Sequence, residues 1–263
     1  MAKRRDILLA GLWGMAALPA WAADDPTGGD PLGSMQWPDL RRKYLGDAPA
    51  QFTDRVLVRA PAFADDALNV PLQIDARALQ AQGGGIARMI VVADRNPIRE
   101  VLTFEPLQAL PVLAFRIRLE QASPIRCLVQ ARDGQWHVGG LKVQAAGGGC
   151  TVPGVTRADG SWSQTLNKVQ ARFFTNVADA TRRLRLQVMH PMDTGLVAGI
   201  PAFYIEQLEL RDNGGQPWWR LALHEPVSEN PLITLEMPAQ GPREFRLVGQ
   251  DNNGNRIDAG VRA

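Results

Sequence analysis

The sequence predicts an all-β fold made of two immunoglobulin-like β-sandwich domains joined by a flexible glycine-rich segment. Short runs of alternating apolar and polar residues recur along the chain, and turn-forming residues separate them. A third observation is a stretch at residues 145–164 in which Gly, Ala, Pro, Ser and Thr dominate and aliphatic periodicity disappears. These boundaries predict a first sandwich at 35–149, an arm or linker at 150–164 and a second sandwich at 165–263.

Residues 1–22 have the features of a secretion signal. Basic residues at 3–5 precede an apolar stretch at 7–21, and a small-x-small cleavage sequence ends at Ala22. The adjacent arginines allow export by either the Sec or the Tat route. Because the apolar stretch is too short for a stable anchor, we expect a periplasmic mature chain with no membrane span.

The charge balance argues against a nucleic-acid partner. The whole chain has a formal net charge of +2. Removing the leader takes away three basic residues and one acidic residue, so the mature chain has a formal charge of zero. No basic field therefore remains to attract a polyanion.

The first half is predicted to contain one short helix followed by strands. The helix is expected near residues 37–45, where apolar residues follow helical spacing before a proline. Strands follow wherever apolar and polar residues alternate or a compact aliphatic run occurs. They are predicted at 70–75, 86–93, 114–119, 125–132 and 136–144.

The second half repeats the same pattern of short strands and turns. Two turns rich in Asp, Asn and Gly are expected at 212–215 and 251–255. The pair Trp218-Trp219 is assigned to strand packing rather than to a ligand platform. Strands are predicted at 169–173, 184–188, 203–210, 233–237 and 244–248.

Cys150 ends a run of small residues and is the candidate functional residue. Gly147, Gly148 and Gly149 precede it directly and form a tether with almost no side chains. Such a tract cannot bury enough surface to order itself, so we expect a mobile arm that exposes the thiol to solvent. A plain flexible linker with an incidental cysteine is the alternative.

Cys127, the other cysteine, is expected to be buried. It alternates with apolar neighbours on a strand and therefore points to an apolar face. A two-residue turn at Asp133-Gly134 would place it opposite Gly140 on the next strand. A disulfide to Cys150 stays open, because an exported chain meets oxidising conditions.

No catalytic, metal or cofactor site is predicted. The three histidines, His137, His190 and His224, lack ligand spacing and have no cysteine near them in sequence. No G-x-S-x-G elbow is present, and the glycine run at 83–85 precedes a strand rather than opening a helix. We therefore predict a protein that is not an enzyme, with His190 shaping its loop or contacting the first half.

Several short motifs stand out in both halves of the chain. The first half contains Val70-Pro71-Leu72, Asp94-Arg95-Asn96-Pro97 and the terminal Gly-Gly-Cys. The second half contains His190-Pro191-Met192-Asp193-Thr194-Gly195, Ile200-Pro201-Ala202-Phe203-Tyr204-Ile205, Ser228-Glu229-Asn230-Pro231 and Asp251-Asn252-Asn253-Gly254. The first set resembles the Y subunit of the bacterial sulfur-oxidation (Sox) carrier, and the second set resembles its Z subunit. The chain is thus similar to a natural fusion of both subunits, as in the SoxYZ-like carriers associated with quinoprotein dehydrogenases.

The resemblance implies a non-catalytic periplasmic carrier. Cys150 matches the position where sulfur intermediates are covalently attached and passed among separate enzymes. Expected partners are periplasmic Sox-type enzymes, or a quinoprotein dehydrogenase with its cytochrome. The family's arm ends the polypeptide, whereas here Thr151-Val152-Pro153 follows, so the arm is anchored at both ends and reaches less far. The alternative is a non-covalent binding or assembly module associated with the dehydrogenase.

Overall fold

The computed structural model describes residues 27–81 and 83–263, so the predicted secretion signal at 1–22 lies outside the described residues. The helices are α1 (Trp37–Leu45), α2 (Val155–Ala158) and α3 (Trp162–Thr165), and Arg77–Leu79 forms a 3-10 turn. The strands are β1 (Ala50–Phe52), β2 (Leu57–Arg59), β3 (Phe63–Ala64), β4 (Val70–Asp75), β5 (Ile86–Ala93), β6 (Glu100–Glu105), β7 (Val112–Ile117), β8 (Ser123–Ala131), β9 (Trp136–Ala145), β10 (Val169–Asn176), β11 (Thr181–Val188), β12 (Ile205–Asp212), β13 (Pro217–Leu223), β14 (Leu232–Pro238), β15 (Glu244–Asp251) and β16 (Arg256–Arg262).

The all-β prediction is confirmed. Strands β4 and β5 and helix α1 have the predicted bounds, because local alternation, an aliphatic run and helical spacing are strong signals. After residue 50, each described α-helix has four residues. Strand packing rather than helix packing therefore forms the core.

Both sheets run through both halves of the chain. The ten-stranded sheet has the order β1-β9-β8-β5-β6-β13-β12-β15-β16, with β3 paired to β9, and the six-stranded sheet has the order β10-β11-β14-β7-β4-β2. Strand β6 pairs with β13, which places Phe104 opposite Leu221, and β7 pairs with β14, which places Leu113 opposite Leu235. Each half thus pairs with two edge strands that would otherwise be unpaired in the other half, and one apolar core spans the junction.

The β8–β9 hairpin has a longer loop than predicted. Cys127 lies opposite Gly139, whereas the two-residue turn would have placed it opposite Gly140. The N–H of Gly134 donates to the carbonyl of Ala131, and Gly134 has a φ of 90°. This left-handed glycine closes a three-residue loop, which shifts the register by one residue.

A buried ion triad fixes the segment that precedes α1. Arg126 on β8 donates to Asp30 at 2.7 Å and to Asp94 at 3.0 Å, and all three side chains are buried. Its guanidinium also lies 4.5 Å from the ring of Trp37. Burial alone would raise the pKa of Asp30, but its hydrogen bonds from Arg126 and from two backbone N–H groups hold it below its usual value. Helix α1 is thereby held on the outer face of the large sheet.

Candidate functional site

The glycine tether is packed against the first half. The N–H groups of Gly148 and Gly149 donate to the carbonyls of Glu120 and Leu119 at 3.0 and 3.1 Å. A Cβ on Gly149 would lie 2.2 Å from the carbonyl oxygen of Ala67, so only glycine fits there. Composition suggested a mobile arm, yet the missing side chains allow close backbone approach and hydrogen bonding.

The expected exposure of Cys150 is wrong, since the residue is 1% exposed. Its backbone N–H donates to Glu120 Oε2 at 3.0 Å, and its carbonyl accepts from Thr194 Oγ1 at 2.6 Å. The thiol faces the carbonyl of Arg118 with an S–O distance of 3.9 Å. Residues of both halves therefore enclose Cys150 at their junction.

The enclosed thiol is a poor nucleophile. Burial raises the pKa of Cys150 to about 12, and the negative charge of Glu120 adds to the increase. The charge of Arg118 and a hydrogen bond from the backbone N–H of Glu120 act in the opposite direction without cancelling it. Because the thiolate is the reactive form, the thiol of the closed site is protonated and inert at neutral pH.

Arg118 contacts the segment around Cys150 and joins it to the second half. Its Nη1 donates to the carbonyls of Gly149 and Val152 at 3.4 and 3.3 Å, and its Nη2 donates to the carbonyl of Pro191 at 3.4 Å. Burial lowers the pKa of this guanidinium, and nearby carboxylates such as Glu229 partly offset that effect. Arg118 holds the segment through backbone contacts on both sides of Cys150.

Two loops of the second half hold the chain beyond Cys150. Glu229 accepts from the backbone N–H groups of Val155 and Thr156 at 3.1 and 3.2 Å. Asp193 accepts from Arg157 Nε at 2.8 Å and forms an ion pair with that side chain. The sequence motifs at 190–195 and 228–231 therefore meet at the segment that carries the cysteine.

His190 shapes its own loop, as predicted. It is buried, and its Nδ1 accepts from the N–H of Met192 at 3.1 Å, while its Nε2 lies 3.5 Å from Asp251. Burial lowers the pKa of His190 to about 4, and the attraction of Asp251 only partly opposes this. The imidazole is therefore neutral at pH 7 and acts as a structural acceptor.

Cys127 is shielded, as predicted. It is fully buried within β8, and the surrounding apolar core raises the pKa of its thiol. Both cysteines are free thiols in this structure. Cys150 therefore differs from Cys127 in its position at the junction of the two halves rather than in exposure.

The part of the chain that the structure describes contains no cluster of three metal-ligating side chains. None of its helices is both long and apolar enough to cross a membrane. Sequence reasoning missed the roles of Arg118, which lies near the end of the predicted strand at 114–119, and of Glu120, which directly follows that strand. Their only local signal is a pair of charged residues at the end of an alternating run.

The fold and the site define a two-part β-sandwich protein that encloses one thiol where its halves meet. Residues 41–150 match the family model described as Sulfur oxidation protein SoxY, and residues 174–262 match that of Sulphur oxidation protein SoxZ. The chain therefore joins a domain of the SoxY family and a domain of the SoxZ family, both sulfur-oxidation proteins, in one polypeptide. The predicted resemblance is thus confirmed for both halves.

Among solved structures, the chain is similar to the sulfur carrier protein SoxY from Chlorobium limicola f thiosulfatophilum. The two sequences are 19% identical, and the match covers 42% of this chain and 96% of that chain with a TM-score of 0.37. The search of curated proteins gave no match.

Proposed function

We propose that Cys150 is the covalent attachment point for sulfur intermediates that partner enzymes load and unload. The observation that carries this proposal is the SoxY match, which extends through Cys150 as its last residue. Further support comes from the glycine tether and from the two halves that meet at the thiol. The protein supplies the thiol and its shelter, and the partners supply the catalysis.

Loading with thiosulfate is an oxidation. The thiol of Cys150 loses its proton, its sulfur bonds to the sulfane sulfur of thiosulfate, and two electrons leave. The product is a cysteine that carries a sulfur–sulfonate group with one negative charge. On this proposal, a redox centre of a partner enzyme accepts the two electrons.

Release of the cysteine segment precedes loading. The hydrogen bonds of Cys150 to Glu120 and Thr194 must break, and so must those from Arg118 to the flanking carbonyls. The ion pair between Arg157 and Asp193 anchors the far end. A loop held at both ends suits a shallow or grooved partner site better than a deep, narrow one.

The proposed compartment is the periplasm, reached after removal of residues 1–22 by the Sec or the Tat route. The proposed partners are periplasmic Sox-type enzymes. Packing of the thiol between the halves would protect a loaded intermediate from other thiols in transit. Passage between partners then alternates a closed, protective state with an open, reactive one.

The test is reconstitution with thiosulfate-oxidising periplasmic enzymes. We expect wild-type protein to gain the mass of the sulfur cargo at Cys150 and to support turnover. The Cys150→Ser variant should lose both, whereas Cys127→Ala should keep both because Cys127 lies in the core. Turnover at the wild-type rate with Cys150→Ser would refute covalent carriage.

The second candidate is a non-covalent binding module beside a quinoprotein dehydrogenase. The burial of Cys150 favours it, since a closed thiol takes no part in chemistry. On this alternative, Cys150→Ser would retain both partner affinity and function. The same reconstitution therefore separates the two functions.

A further inference from the structure

Arg118 is a buried cation without a direct ion pair among the described residues. It is 1% exposed, its hydrogen-bond acceptors are three backbone carbonyls, and its Nε has no hydrogen-bond partner. The acceptor distances of 3.3–3.4 Å exceed those of a typical N–H to oxygen bond. Buried charges normally have an ionic partner, because desolvation without one is unfavourable by several kcal/mol.

The surrounding carboxylates are already engaged elsewhere. Asp193 binds Arg157, and Glu229 accepts from two backbone N–H groups and from the hydroxyl of Thr156. Glu120 accepts from the N–H of Cys150 and from a neighbouring hydroxyl. None of the ion pairs found in the described ranges includes Arg118. The positive charge beside Cys150 is therefore only partly offset by carboxylates at a distance and has no direct ionic partner among the described residues.

We propose that Arg118 is the binding site for an anionic group carried on Cys150, an oxyanion of oxidised sulfur. This inference rests on the proposed covalent carrier. A guanidinium presents a planar fork of N–H donors that matches such oxyanions, and charge-assisted hydrogen bonds are about twice as strong as neutral ones. Arg118 already lies next to the thiol and has a free donor at Nε.

On this proposal, movement of the arm determines what Arg118 binds. When the arm lifts, the carbonyls of Gly149 and Val152 leave Arg118. A loaded arm that returns brings these carbonyls back together with a charged acceptor for Nε, whereas an unloaded arm brings back only the carbonyls. Arg118 thus favours return of the arm with oxidised, anionic cargo and makes the carrier selective for it.

Charged thiol reagents test this site without any partner enzyme. The anionic reagent is 2-sulfonatoethyl methanethiosulfonate, and its cationic counterpart carries a trimethylammonium group. In both reactions the thiolate attacks the sulfenyl sulfur, a disulfide forms and methanesulfinate leaves. Rates at Cys150 are measured by peptide mass mapping and divided by the rates for a free Gly-Gly-Cys peptide.

The variants are Arg118→Gln, Arg118→Lys and the control Arg182→Gln. Arg182 matches Arg118 because it is also buried, donates to two backbone carbonyls and has an unpartnered Nη2. It lies near the first residue of β11, whereas Thr194, which contacts Cys150, follows the last residue of that strand. We expect the normalised anion-to-cation rate ratio to fall about tenfold in Arg118→Gln, corresponding to 1.4 kcal/mol. It should remain near wild type in the Arg182 variant and lie between the two in Arg118→Lys.

A second measurement covers failure of Arg118→Gln to fold. The two disulfide adducts of the wild-type protein are reduced with dithiothreitol, and each rate is divided by that of the same adduct on the peptide. We expect the sulfonate adduct to be reduced about tenfold more slowly than the cationic adduct after normalisation, since Arg118 holds the arm closed on it. Equal normalised rates would overturn the proposed anion site.

The outcomes separate the two proposals. Reaction of Cys150 with both reagents at a ratio that Arg118→Gln leaves unchanged would refute the anion site and leave the carrier intact. No reaction of Cys150 with either reagent in the folded protein would refute both. Loss of the ratio in the Arg182 control as well would mean a general change in packing and would also contradict the specific role of Arg118.

Discussion

Thr194 is the contact by which the second half keeps Cys150 closed, and Thr194→Val is expected to release it. The Thr194 hydroxyl donates to the Cys150 carbonyl at 2.6 Å, and both residues are buried. Valine has nearly the same shape but no donor, so the carbonyl is left unsatisfied in the closed state and reaches water in the open state. The closed state should lose about 1–2 kcal/mol relative to the open state.

That loss converts directly into reactivity. If the arm closes again faster than a reagent attacks, the labelling rate follows the open population, and 1.4 kcal/mol is a factor of ten. Cys150 in Thr194→Val should therefore react with iodoacetamide roughly 5 to 30 times faster than in wild type. Peptide mapping separates it from Cys127, and urea unfolding checks that global stability has changed little.

Thr194→Ser and Thr234→Val are the matched controls. Serine keeps the hydroxyl and should keep the thiol closed. Thr234 lies on β14, and its hydroxyl has no hydrogen bond among the described residues. Labelling of Thr194→Val at the wild-type rate would refute the role of this contact. Equal acceleration in Thr234→Val would show that any loss of threonine in this half loosens the fold.

Three further changes test other parts of the structure. Gly149→Ala should open the site and accelerate Cys150 labelling more than tenfold, because its Cβ would lie 2.2 Å from a backbone oxygen. Gly148→Ala meets no atom within 4 Å and only strains a backbone with a φ of 78°, so it should have the smaller effect. The reverse order would contradict the packed tether. Arg126→Met should lower the free energy of unfolding in urea by about 3–5 kcal/mol, because it leaves two buried carboxylates unpaired. Changing Asp30 and Asp94 to amides in the same chain should recover part of this loss. An unchanged free energy of unfolding in Arg126→Met would mean that the triad is dispensable. The folded-state pKa of His190, about 4, is below its ordinary value of about 6.5, so its stabilising contribution is present above pH 6.5 and is lost as pH falls toward 4. Urea midpoints of His190→Gln should therefore depend less on pH in this window than those of wild type, and identical slopes would contradict the buried neutral imidazole.

Local sequence signals were sufficient for most strands. The alternating run at β4 and the aliphatic run at β5 predict their bounds because burial on one or both faces imposes those patterns. The β8–β9 register was missed by one residue, since alternation cannot tell how many residues a loop contains. There the left-handed Gly134 decides the loop type.

The site was predicted only in part for a different reason. Cys150 was identified from its tether, but its burial depends on Glu120 and Thr194, which are 30 and 44 residues away in sequence. A glycine tract has the same composition whether it is mobile or packed against backbone. Only the tertiary structure, which brings Arg118 and the loops of the second half to one place, distinguishes these states.

Covalent carriage by Cys150 is tested most directly by intact-mass spectrometry. The protein would be isolated without reductant from cells that oxidise thiosulfate, and peptide mapping would locate each adduct. We predict added sulfur and sulfur–sulfonate masses on Cys150, none on Cys127 and none on a Cys150→Ser chain. An unmodified Cys150 thiol throughout active oxidation would contradict covalent carriage.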